Sequence, residues 1–376
     1  MDKIKTVIIG FGYRGQYLFE LIGRIGDFDI VAVADPLPVE ISPGVKFYGD
    51  GPDDYLNMLD DCCPDLAVVA SPWDCHIRHA ESCLKKGCNV AMEIKGGLGD
   101  GEYDTLSQLV ETCGKKIYPM ENVMFMRDIL AVKNMVSKGL FGRIMHLRGG
   151  YRHDIRKMII DAEGVLGGMR TGEGSWRSSY YTSVNGDIYP THGFAPLYMI
   201  AGINRTDSLT ALASFSSGAA GIDSYIRGCG NNNVPRITMG DIVSTVMTTK
   251  NGVLITLTHD TTLPRPKGFD FEVQGTRGIW DWERHRIYID GLSEKWEDDE
   301  EYIGRYEDRY WKEYGAEAIA MDTHHSGMDY IMLKAITDDI NGIYPYPANI
   351  EDLELWTSIS VLSIKSIAEG RTVLLK

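Results

Sequence analysis

A glycine turn close to the start of the chain narrows the possible folds sharply. Residues 3–9 form a β-branched apolar run, the turn Gly10-x-Gly12-x-x-Gly15 follows directly, and residues 16–25 carry apolar side chains at helical spacing. Gly10 permits a tight turn, Gly12 lets the backbone approach a pyrophosphate, and Gly15 allows close helix packing. Because the helix N-terminus then faces the phosphates, the sequence predicts a dinucleotide-binding unit. A glycine-rich turn without a ligand is the alternative.

An acidic residue at the end of the second apolar run indicates which dinucleotide is bound. Residues 29–34 form that run, and Asp35 follows Gly15 by 20 positions. A carboxylate there accepts hydrogen bonds from the adenosine ribose and repels a 2′-phosphate, which favours NAD. Arg14 inside the turn can serve NADP or simply contact a phosphate. No second basic residue follows Asp35 closely, so NADP is the less favoured cofactor.

The pattern along the chain predicts two domains. Strand-like runs at residues 66–70, 89–92 and 117–120 alternate with helical stretches, as in an α/β doubly wound parallel sheet of the Rossmann type. From residue 144 onward the apolar period becomes two, as in a sheet with one wetter face. The segments with this period are residues 144–151, 208–216, 241–249, 253–260, 269–274 and 278–281. We therefore expect an NAD-binding Rossmann domain at residues 1–122. A C-terminal α+β domain with a large mixed or antiparallel sheet, for substrate and oligomerisation, should occupy residues 123–376.

The net charge excludes one class of partner. The chain has 38 basic and 53 acidic residues, a formal charge of −15 and a pI near 5.1, so a nucleic-acid or anionic-membrane binder is not expected. Its apolar runs are far shorter than the roughly 20 residues of a membrane span. The start lacks the basic, apolar and small-residue regions of a signal peptide, so the expected location is cytoplasmic unless a leader has been removed.

Two loops at carboxyl strand ends carry candidate ligand-binding residues. Ser71-Pro-Trp73 follows the third predicted strand and Glu93-Ile-Lys95 follows the fourth, on the edge where such sheets bind ligands. Trp73 either packs beside the cofactor or is an ordinary core residue. Glu93 and Lys95 can order the nicotinamide ribose or a substrate hydroxyl, or form a surface ion pair.

Residues 186–196 concentrate reactive side chains in a glycine- and proline-containing segment, as site loops do. A histidine titrates near neutrality, so His192 can exchange a proton with a sugar or alcohol hydroxyl while hydride leaves the same carbon. Tyr189 falls on the same side if the turn is helical. Asp187 precedes them closely. Satisfied core residues are the alternative reading.

A second cluster lies at the end of the first long strand of the C-terminal half. In an extended segment Tyr151 and His153 point to one face, with Arg152 and Asp154 on the other. Phenol and imidazole on one face can serve as proton donor and acceptor. The alternative is a strand end with one ion pair.

No metal site is predicted. His324 and His325 are adjacent, so they do not face each other on a helix, and no further carboxylate is spaced to complete a cage. Cys75-His76-x-x-His79 fits helix surface and core better than zinc.

These residues resemble a known family. The glycine turn, Asp35, the Glu93-Ile-Lys95 segment and the two-domain order are similar to the Gfo/Idh/MocA oxidoreductases. More narrowly, several segments resemble glycoside hydrolase family 109, which includes NAD-dependent α-N-acetylgalactosaminidases. They are Glu121-Asn122, Gly139-Leu-Phe-Gly142, Gly149-Gly-Tyr-Arg-His-Asp-Ile-Arg156, Tyr189-Pro-Thr-His-Gly193, Pro264-Arg-Pro266, Gln274-Gly-Thr-Arg-Gly278 and His325-Ser-Gly-Met-Asp329. The resemblance runs over nearly the whole chain.

The resemblance implies a redox-assisted cleavage of glycosides. Hydride passes from C3 of the sugar to NAD, the ketone acidifies the C2 proton, and the aglycone leaves C1 by elimination. Water then adds and the hydride returns to C3, so no pair of opposed carboxylates is needed. Carried over by position, Tyr151 is the base for the C2 proton, while Tyr189 and His192 position the sugar and handle the C3 hydroxyl.

Two segments depart from the family pattern. The family reads Pro-Arg-Pro-Tyr where this chain has Lys267 after Pro266, and Glu-Val-Pro-Ala where this chain has Glu93-Ile-Lys-Gly. The broader superfamily reads Glu-Lys-Pro there, so Lys95 is displaced by one position. Two lysines near the presumed substrate favour a different sugar from N-acetylgalactosamine, such as a carboxylated one.

The candidate site residues fall into three groups. The catalytic candidates are His192, Tyr189, Tyr151 and Lys95. The substrate-binding candidates are His153, Asp187 and Lys267. The cofactor-binding candidates are Gly10, Phe11, Gly12, Tyr13, Arg14, Gly15, Asp35, Ser71, Trp73, His76, Glu93, Lys95 and Asn122.

The favoured hypothesis is an NAD-dependent oxidoreductase that acts on a sugar or glycoside at C3 and completes redox-neutral cleavage. One alternative is a net sugar dehydrogenase that forms a 3-keto product and releases NADH. Another is a non-catalytic NAD-binding sensor. An open face of the second sheet commonly serves subunit contact, so a homodimer or homotetramer is expected.

Overall fold

The computed structural model describes residues 2–99, 101–169 and 172–375. The chain divides into two compact units: Met1–Glu121 with Tyr314–Leu355, and Asn122–Glu313 with Trp356–Lys376. This differs from the expected division into residues 1–122 and 123–376, because residues 314–355 belong with the N-terminal part. The first unit is therefore made of two segments that lie far apart in the sequence.

Strands and helices are numbered in chain order. The strands are β1 (Ile4–Ile9), β2 (Phe28–Ala34), β3 (Lys46–Tyr48), β4 (Leu66–Val69), β5 (Asn89–Glu93), β6 (Ile117–Met120), β7 (Ile144–Arg152), β8 (Leu209–Ser216), β9 (Ile242–Thr249), β10 (Leu254–Asp260), β11 (Glu272–Gly275), β12 (Gly278–Asp281), β13 (Arg286–Ile289), β14 (Glu297–Asp298) and β15 (Val373–Leu374).

The helices alternate with the strands in the N-terminal part and cluster at the C-terminal end. They are α1 (Tyr13–Arg24), α2 (Tyr55–Cys62), α3 (Trp73–Lys85), α4 (Asp104–Cys113), α5 (Arg127–Ser137), α6 (Arg156–Ile159), α7 (Glu173–Ser183), α8 (Thr191–Ala201), α9 (Gly221–Gly228), α10 (Glu300–Arg305), α11 (Arg309–Met321), α12 (Met328–Ile340) and α13 (Ile350–Glu369), with a 3-10 helix at Asn122–Phe125.

The first unit contains a six-stranded sheet in the order β3-β2-β1-β4-β5-β6, with every pair parallel. Strands β4 and β6 are buried at all their positions, as expected for strands covered on both faces. The order 3-2-1-4-5-6 is that of a dinucleotide-binding doubly wound sheet. The predicted Rossmann fold is therefore confirmed.

The second unit contains a nine-stranded mixed sheet in the order β14-β13-β12-β11-β7-β10-β9-β8-β15. Only the pair β7 and β10 is parallel among the named pairs of this sheet. The predicted large mixed sheet is confirmed. Strand β11 begins later than predicted: residues 269–274 were expected to be extended, but β11 begins at Glu272 because Asp270 has a φ of +56° and interrupts the ladder.

Helix α8 packs directly on strand β7 because Gly149 and Gly193 place no side chain between them. A Cβ on Gly149 would lie 2.6 Å from the Gly193 carbonyl oxygen, and a Cβ on Gly193 would lie 2.5 Å from the Gly150 nitrogen. Any larger residue at these positions would force the two elements apart. This close approach brings the start of α8 beside the end of β7.

Among the described residues, no helix combines the length and apolar character needed to cross a bilayer.

Candidate functional site

In the glycine turn of the first unit, Gly10 and Gly15 lie against backbone atoms, whereas Gly12 faces open space. Gly10 has a φ of +92°, and a Cβ there would lie 2.6 Å from the Ser71 nitrogen. A Cβ on Gly15 would lie 2.0 Å from the Gly10 carbonyl oxygen, whereas a Cβ on Gly12 would meet no described atom within 4 Å. Gly12 is the N-cap of α1. This arrangement, which we call the glycine cradle (Gly10, Gly12 and Gly15), fits a pyrophosphate at a helix N-terminus.

Asp35 is held at the end of β2 by backbone donors. The Phe11 nitrogen donates to its Oδ2 at 2.6 Å and the Leu37 nitrogen donates to its Oδ1 at 2.8 Å. Each carboxylate oxygen has a second lone pair, so the group can still accept from ribose hydroxyls. Phe11 is buried in an edge contact with Phe19, while Tyr13 is exposed on the first turn of α1.

The loop after β4 is fixed by two buried histidines. His76 Nε2 lies 2.6 Å from the Ser71 carbonyl oxygen; because a carbonyl only accepts, that nitrogen carries the hydrogen. His79 Nδ1 lies 2.9 Å from Ser71 Oγ. Burial lowers the pKa of His76 to about 4 and that of His79 to about 3, so both are neutral near pH 7. Ser71 is therefore held rigidly beside Gly10.

Lys95 follows β5 and is completely buried. Its Nζ donates to the Gly97 carbonyl oxygen at 3.3 Å and lies 5.2 Å from the centroid of the buried Trp73 ring. The two predicted residues are thus brought together in the first unit. Asn122, another predicted cofactor residue, is buried at the start of the 3-10 helix in the second unit.

The ion pair between Glu93 and Lys95, which was the alternative to a role in ligand binding, is not the one that Glu93 forms. Arg14 takes Glu93 instead, with its Nε 2.7 Å from Glu93 Oε1, and it binds Asp329 of α12 with two further bonds of 2.6 and 2.8 Å. Asp329 is completely buried. Arg14 therefore ties the glycine turn to β5 and α12. Its predicted contact with a cofactor phosphate stays a prediction.

The pKa values of the two carboxylates that bind Arg14 shift in opposite directions. Burial raises the pKa of Glu93 to about 7, and Arg14 only partly offsets that. Burial also opposes ionisation of Asp329, but the two bonds from Arg14 outweigh it and hold the Asp329 pKa well below its usual range. Asp329 is the carboxylate that chiefly balances the guanidinium charge.

The C-terminal histidine segment has more carboxylate neighbours than the sequence suggested. Asp322, His325 and Asp329 each place a ligand atom within 4.8 Å of the others, so the expectation that no carboxylate is spaced for a cage was wrong. His325 Nδ1 lies 2.8 Å from Asp329 Oδ2, and Tyr17 donates to Asp322. However, the Arg14 guanidinium already occupies both oxygens of Asp329. A cation at this place would meet that positive charge, so the donor set does not favour a metal.

The second unit holds an aromatic site, the tyrosine–histidine cluster, made of Tyr151, Tyr189 and His192. The ring centroids of Tyr151 and Tyr189 are 4.6 Å apart, those of Tyr151 and His192 are 5.4 Å apart, and those of Tyr189 and His192 are 4.9 Å apart. Both tyrosines are 8% exposed. The three predicted catalytic candidates of this unit thus meet in one place, which the close packing of α8 on β7 makes possible.

Arg177 of α7 was not predicted as a site residue, yet it lies beneath the tyrosine–histidine cluster. Its Cζ is 4.8 Å from the Tyr189 ring centroid and 5.7 Å from that of Tyr151, and its Nη1 pairs with Glu173 at 2.8 Å. It is 3% exposed. Burial raises the pKa of Tyr151 to about 12, and the positive charge of Arg177 acts in the opposite direction, toward the phenolate.

His153, Lys267 and Asp187 surround this cluster. His153 Nδ1 lies 3.4 Å from the Tyr151 hydroxyl, which confirms that the two side chains share a face. Lys267 is exposed, with its Nζ 5.4 Å from the Phe269 ring centroid. Asp187 is buried and its Oδ1 accepts from the Tyr189 nitrogen at 3.1 Å, so this contact orients the segment before α8.

His259 on β10 was also not predicted. It pairs in register with Tyr151 on β7, and the two ring centroids are 6.5 Å apart. It is 1% exposed, and neither ring nitrogen has a hydrogen-bond partner among the described residues. Burial lowers its pKa to about 3, so the ring is neutral. Strand alternation alone could have placed it on the inward face.

The parallel 3-2-1-4-5-6 sheet with its glycine cradle and Asp35 defines a dinucleotide-binding protein of the Rossmann class. Residues 4–94 match the family described as "Oxidoreductase family, NAD-binding Rossmann fold". Residues 125–375 match "Glycosyl hydrolase 109, C-terminal domain", so the chain belongs to glycosyl hydrolase family 109 and is an enzyme. The resemblance stated from the sequence is confirmed.

Individual proteins agree with this assignment. A glycosyl hydrolase family 109 protein of Parabacteroides distasonis is 35% identical over 398 residues, covering 98% of this chain and 85% of the relative. An alpha-N-acetylgalactosaminidase of Tannerella forsythia is 33% identical over 395 residues, covering 97% and 84%. The crystal structure of an NAD binding oxidoreductase from Klebsiella pneumoniae superposes with a TM-score of 0.73 over 100% of both chains; at 15% identity it supports the fold alone.

Proposed function

We propose that this enzyme acts on a sugar or glycoside, oxidising C3 and completing a redox-neutral cleavage of the glycosidic bond. The observation that carries the proposal is the tyrosine–histidine cluster: two phenols and an imidazole within 5.4 Å of one another, beside a buried arginine. Such groups can move protons at a sugar, whereas a pair of opposed carboxylates would be needed for ordinary glycoside hydrolysis.

The cofactor we propose is NAD rather than NADP. Asp35 presents a carboxylate at the end of β2, where the adenosine ribose of a dinucleotide lies in this fold. Arg14, the basic residue of the turn, already forms ion pairs with Glu93 and Asp329, which disfavours its use for the 2′-phosphate of NADP. Titration of the purified enzyme with each dinucleotide tests this: NAD should bind more tightly, and Asp35→Ser should narrow the difference. Equal affinity of the wild type for both would contradict the assignment.

The roles of the residues follow from their chemistry. The glycine cradle and Asp35 would hold NAD, which when bound would accept the hydride from C3 and return it to C3 at the end of the cycle. His192 takes the proton of the C3 hydroxyl, and Tyr189 holds the sugar against it. Tyr151 as a phenolate removes the C2 proton, which the C3 ketone has made acidic. The C1–O bond to the aglycone then breaks, and water adds across C1 and C2.

The positive charge of Arg177 suits this assignment. A phenol with a pKa of about 12 is a weak acid, so its phenolate is a strong base that suits a carbon-bound proton. Arg177 lies beside both tyrosine rings and stabilises negative charge on either phenol. Lys95 is buried beside Trp73 in the first unit, and we propose that its ammonium orders a hydroxyl there.

The test uses a panel of p-nitrophenyl glycosides with a catalytic amount of NAD. Aglycone release without net NADH is the expected result. Stoichiometric NADH with a 3-keto product would mean a net dehydrogenase, and neither product on a wide panel would mean a non-catalytic NAD-binding protein. His192→Ala should suppress turnover while leaving NAD affinity in place, since His192 belongs to the second unit; unchanged turnover would reject its role.

We also propose that the enzyme is a homodimer or homotetramer. Phe215 on β8 and Leu254 on β10 are 71% and 42% exposed, and each alternates with buried residues of its strand, so both lie on the face opposite the core. Exposed apolar side chains on a broad sheet suit contact with a second copy. Light scattering after size-exclusion chromatography should give at least twice the 42.0 kDa chain mass, and Phe215→Glu should lower it. A monomeric wild type would contradict this.

A further inference from the structure

We propose that Lys267 makes this enzyme selective for glycosides whose sugar carries an anionic substituent, a carboxylate or a sulfate ester. The inference rests on the function proposed above and concerns the same site. It names the class of substrate, which neither the family assignment nor the named relatives give for this chain.

The backbone places Lys267 on the face that carries the candidate base. Arg152 and Gly268 form an antiparallel bridge, with N–H···O distances of 3.2 Å from Arg152 to Gly268 and 2.8 Å in return. In such a bridge the neighbouring positions also face each other, so Lys267 lies opposite His153 and Phe269 lies opposite Tyr151. Because side chains alternate along extended chains, these four share one face.

The side-chain contacts agree with this register. The Lys267 ammonium lies 5.4 Å from the centroid of the Phe269 ring, and that ring lies 6.1 Å from His192. On the facing segment, the rings of His153 and Tyr151 are 6.0 Å apart. A continuous set of aromatic rings therefore leads from Lys267 to the tyrosine–histidine cluster.

His153 adds hydrogen-bonding capacity but no charge next to Lys267. Burial lowers its pKa to about 4, with the positive charges of Lys267 and Arg177 as further causes. The imidazole is therefore neutral near pH 7, with one donor and one acceptor. Lys267 is exposed and Arg177 is buried, and the positive charges of both act on His153.

Two carboxylates close to this face in sequence form ion pairs with arginines. Asp154 pairs with Arg156 at 2.8 Å, and Asp260 pairs with Arg265 at 3.0 Å. The chain as a whole carries a charge of −15, which repels anionic ligands from most of its surface. A lysine set in an aromatic wall provides a local attraction for an anionic group, since an ammonium is a flexible point charge with three donors.

Lys95, the other lysine considered from the sequence, does not suit this role. It is 0% exposed and its Nζ donates to the Gly97 carbonyl oxygen in the first unit. Lys267 is exposed and reaches the tyrosine–histidine cluster through Phe269. The structure therefore assigns the selectivity to Lys267.

The test compares matched sets of three p-nitrophenyl glycosides with the NAD-loaded enzyme. The members of a set have the same ring and aglycone: a neutral hexoside, its uronide, and its 6-O-sulfate. We expect kcat/KM for one charged member to exceed that for the neutral member by about tenfold or more, which corresponds to one charge-assisted hydrogen bond. Whether the uronide or the sulfate responds identifies the anion. Added salt should raise KM for that charged member and not for the neutral one.

Three variants separate charge from structure. Lys267→Met, which keeps length without charge, should lower the charged-to-neutral ratio of kcat/KM to near one, while Lys267→Arg should retain the preference. Lys250→Met, an exposed lysine in the turn between β9 and β10 at the other end of β10, should keep the wild-type ratio.

Three results would overturn the inference. If neutral glycosides are cleaved and the charged members are not preferred, or if Lys267→Met keeps the wild-type ratio, the selectivity is wrong and the proposed function stands. If no glycoside, neutral or charged, yields aglycone or NADH, the proposed function itself fails and the inference with it.

Discussion

The glycine cradle of the first unit is made of backbone, whereas the tyrosine–histidine cluster of the second unit is made of side chains. Gly10, Gly12 and Gly15 matter because they lack a Cβ: two of them touch backbone and the third leaves space. Tyr151 and His192 matter because of the groups they carry, and glycines beneath them only allow their approach. The two places should therefore be sensitive to opposite kinds of conservative substitution. Adding one carbon to a glycine should disrupt the glycine cradle, and removing one oxygen from a tyrosine should disrupt the tyrosine–histidine cluster.

The largest expected effect comes from removing one oxygen in the second unit. Tyr151→Phe should lower kcat about 10²- to 10⁴-fold, the range for a lost general base, while NAD affinity remains. Because the phenolate becomes more populated as pH rises toward a pKa of about 12, wild-type kcat/KM should increase from about pH 6 to about pH 9. The residual rate of the variant should lack that rise. Aglycone release measured across this pH range gives both the loss of kcat and the pH dependence. A fully active Tyr151→Phe variant would show that the second unit does not depend on this hydroxyl group.

The next largest effect concerns the stability of the first unit, which we expect to depend on the side chain of Arg14. Arg14→Met leaves the completely buried Asp329 without its guanidinium, which should lower the free energy of unfolding by about 3–5 kcal/mol. Arg24→Met on the same helix removes a half-exposed arginine paired with Glu20 and should cost less than about 0.5 kcal/mol. Urea denaturation compares the two. Equal, small losses would show that the buried network contributes little.

A third effect separates the two functions of the glycines. Gly15→Ala places a Cβ 2.0 Å from the Gly10 carbonyl oxygen and should destabilise the fold by about 2–3 kcal/mol. Gly12→Ala meets no described atom within 4 Å, so its thermal midpoint should stay near the wild type while NAD affinity falls. Thermal melting and NAD titration distinguish them. A Gly12→Ala variant with wild-type NAD affinity would exclude this surface as the phosphate site.

The smallest effect is the pH dependence of Glu93. Its pKa is about 7 in the folded protein and about 4.3 in the unfolded chain, so the folded state binds its proton more tightly. The corresponding stabilisation is present below about pH 4.3 and is lost as pH rises through about 7. Glu93→Gln should remove that loss, changing the wild-type-minus-variant difference by about 2 kcal/mol between about pH 5 and pH 8. A difference in unfolding free energy that does not change with pH would show that Arg14 fully offsets the effect of burial on the Glu93 carboxylate.

The sequence predicted the first unit well because its constraints are local. The alternating strands were identified from neighbouring residues, and the parallel sheet confirms them. The glycine turn and Asp35 were identified in the same way, and their role in cofactor binding stays a prediction. Strand β3 was missed because it has three residues and none of them is buried. The contact of Arg14 with Asp329 was also missed, because 315 positions separate the two residues and only the tertiary fold joins them.

The second unit was predicted less completely because its site joins separate elements. Tyr151 and His192 were found from reactive residue types and the family resemblance. Arg177 was missed because α7 is polar on most of its surface, with Gly174, Arg177, Ser178 and Tyr181 as its buried residues, and so gives no apolar helical pattern. His259 was missed because a buried histidine within a strand looks like any inward position until its unpartnered nitrogens are seen.

The return of residues 314–355 to the first unit sets the order in which the newly made protein can mature. Arg14 emerges from the ribosome early, but the α12 carboxylate that balances it is synthesised some three hundred residues later. The second unit, in contrast, has most of its residues available before that point. Nascent chains should therefore become resistant to proteases in the first unit, and able to bind a dinucleotide, only near the end of translation. Truncation before α12 should leave the N-terminal segment dependent on chaperones.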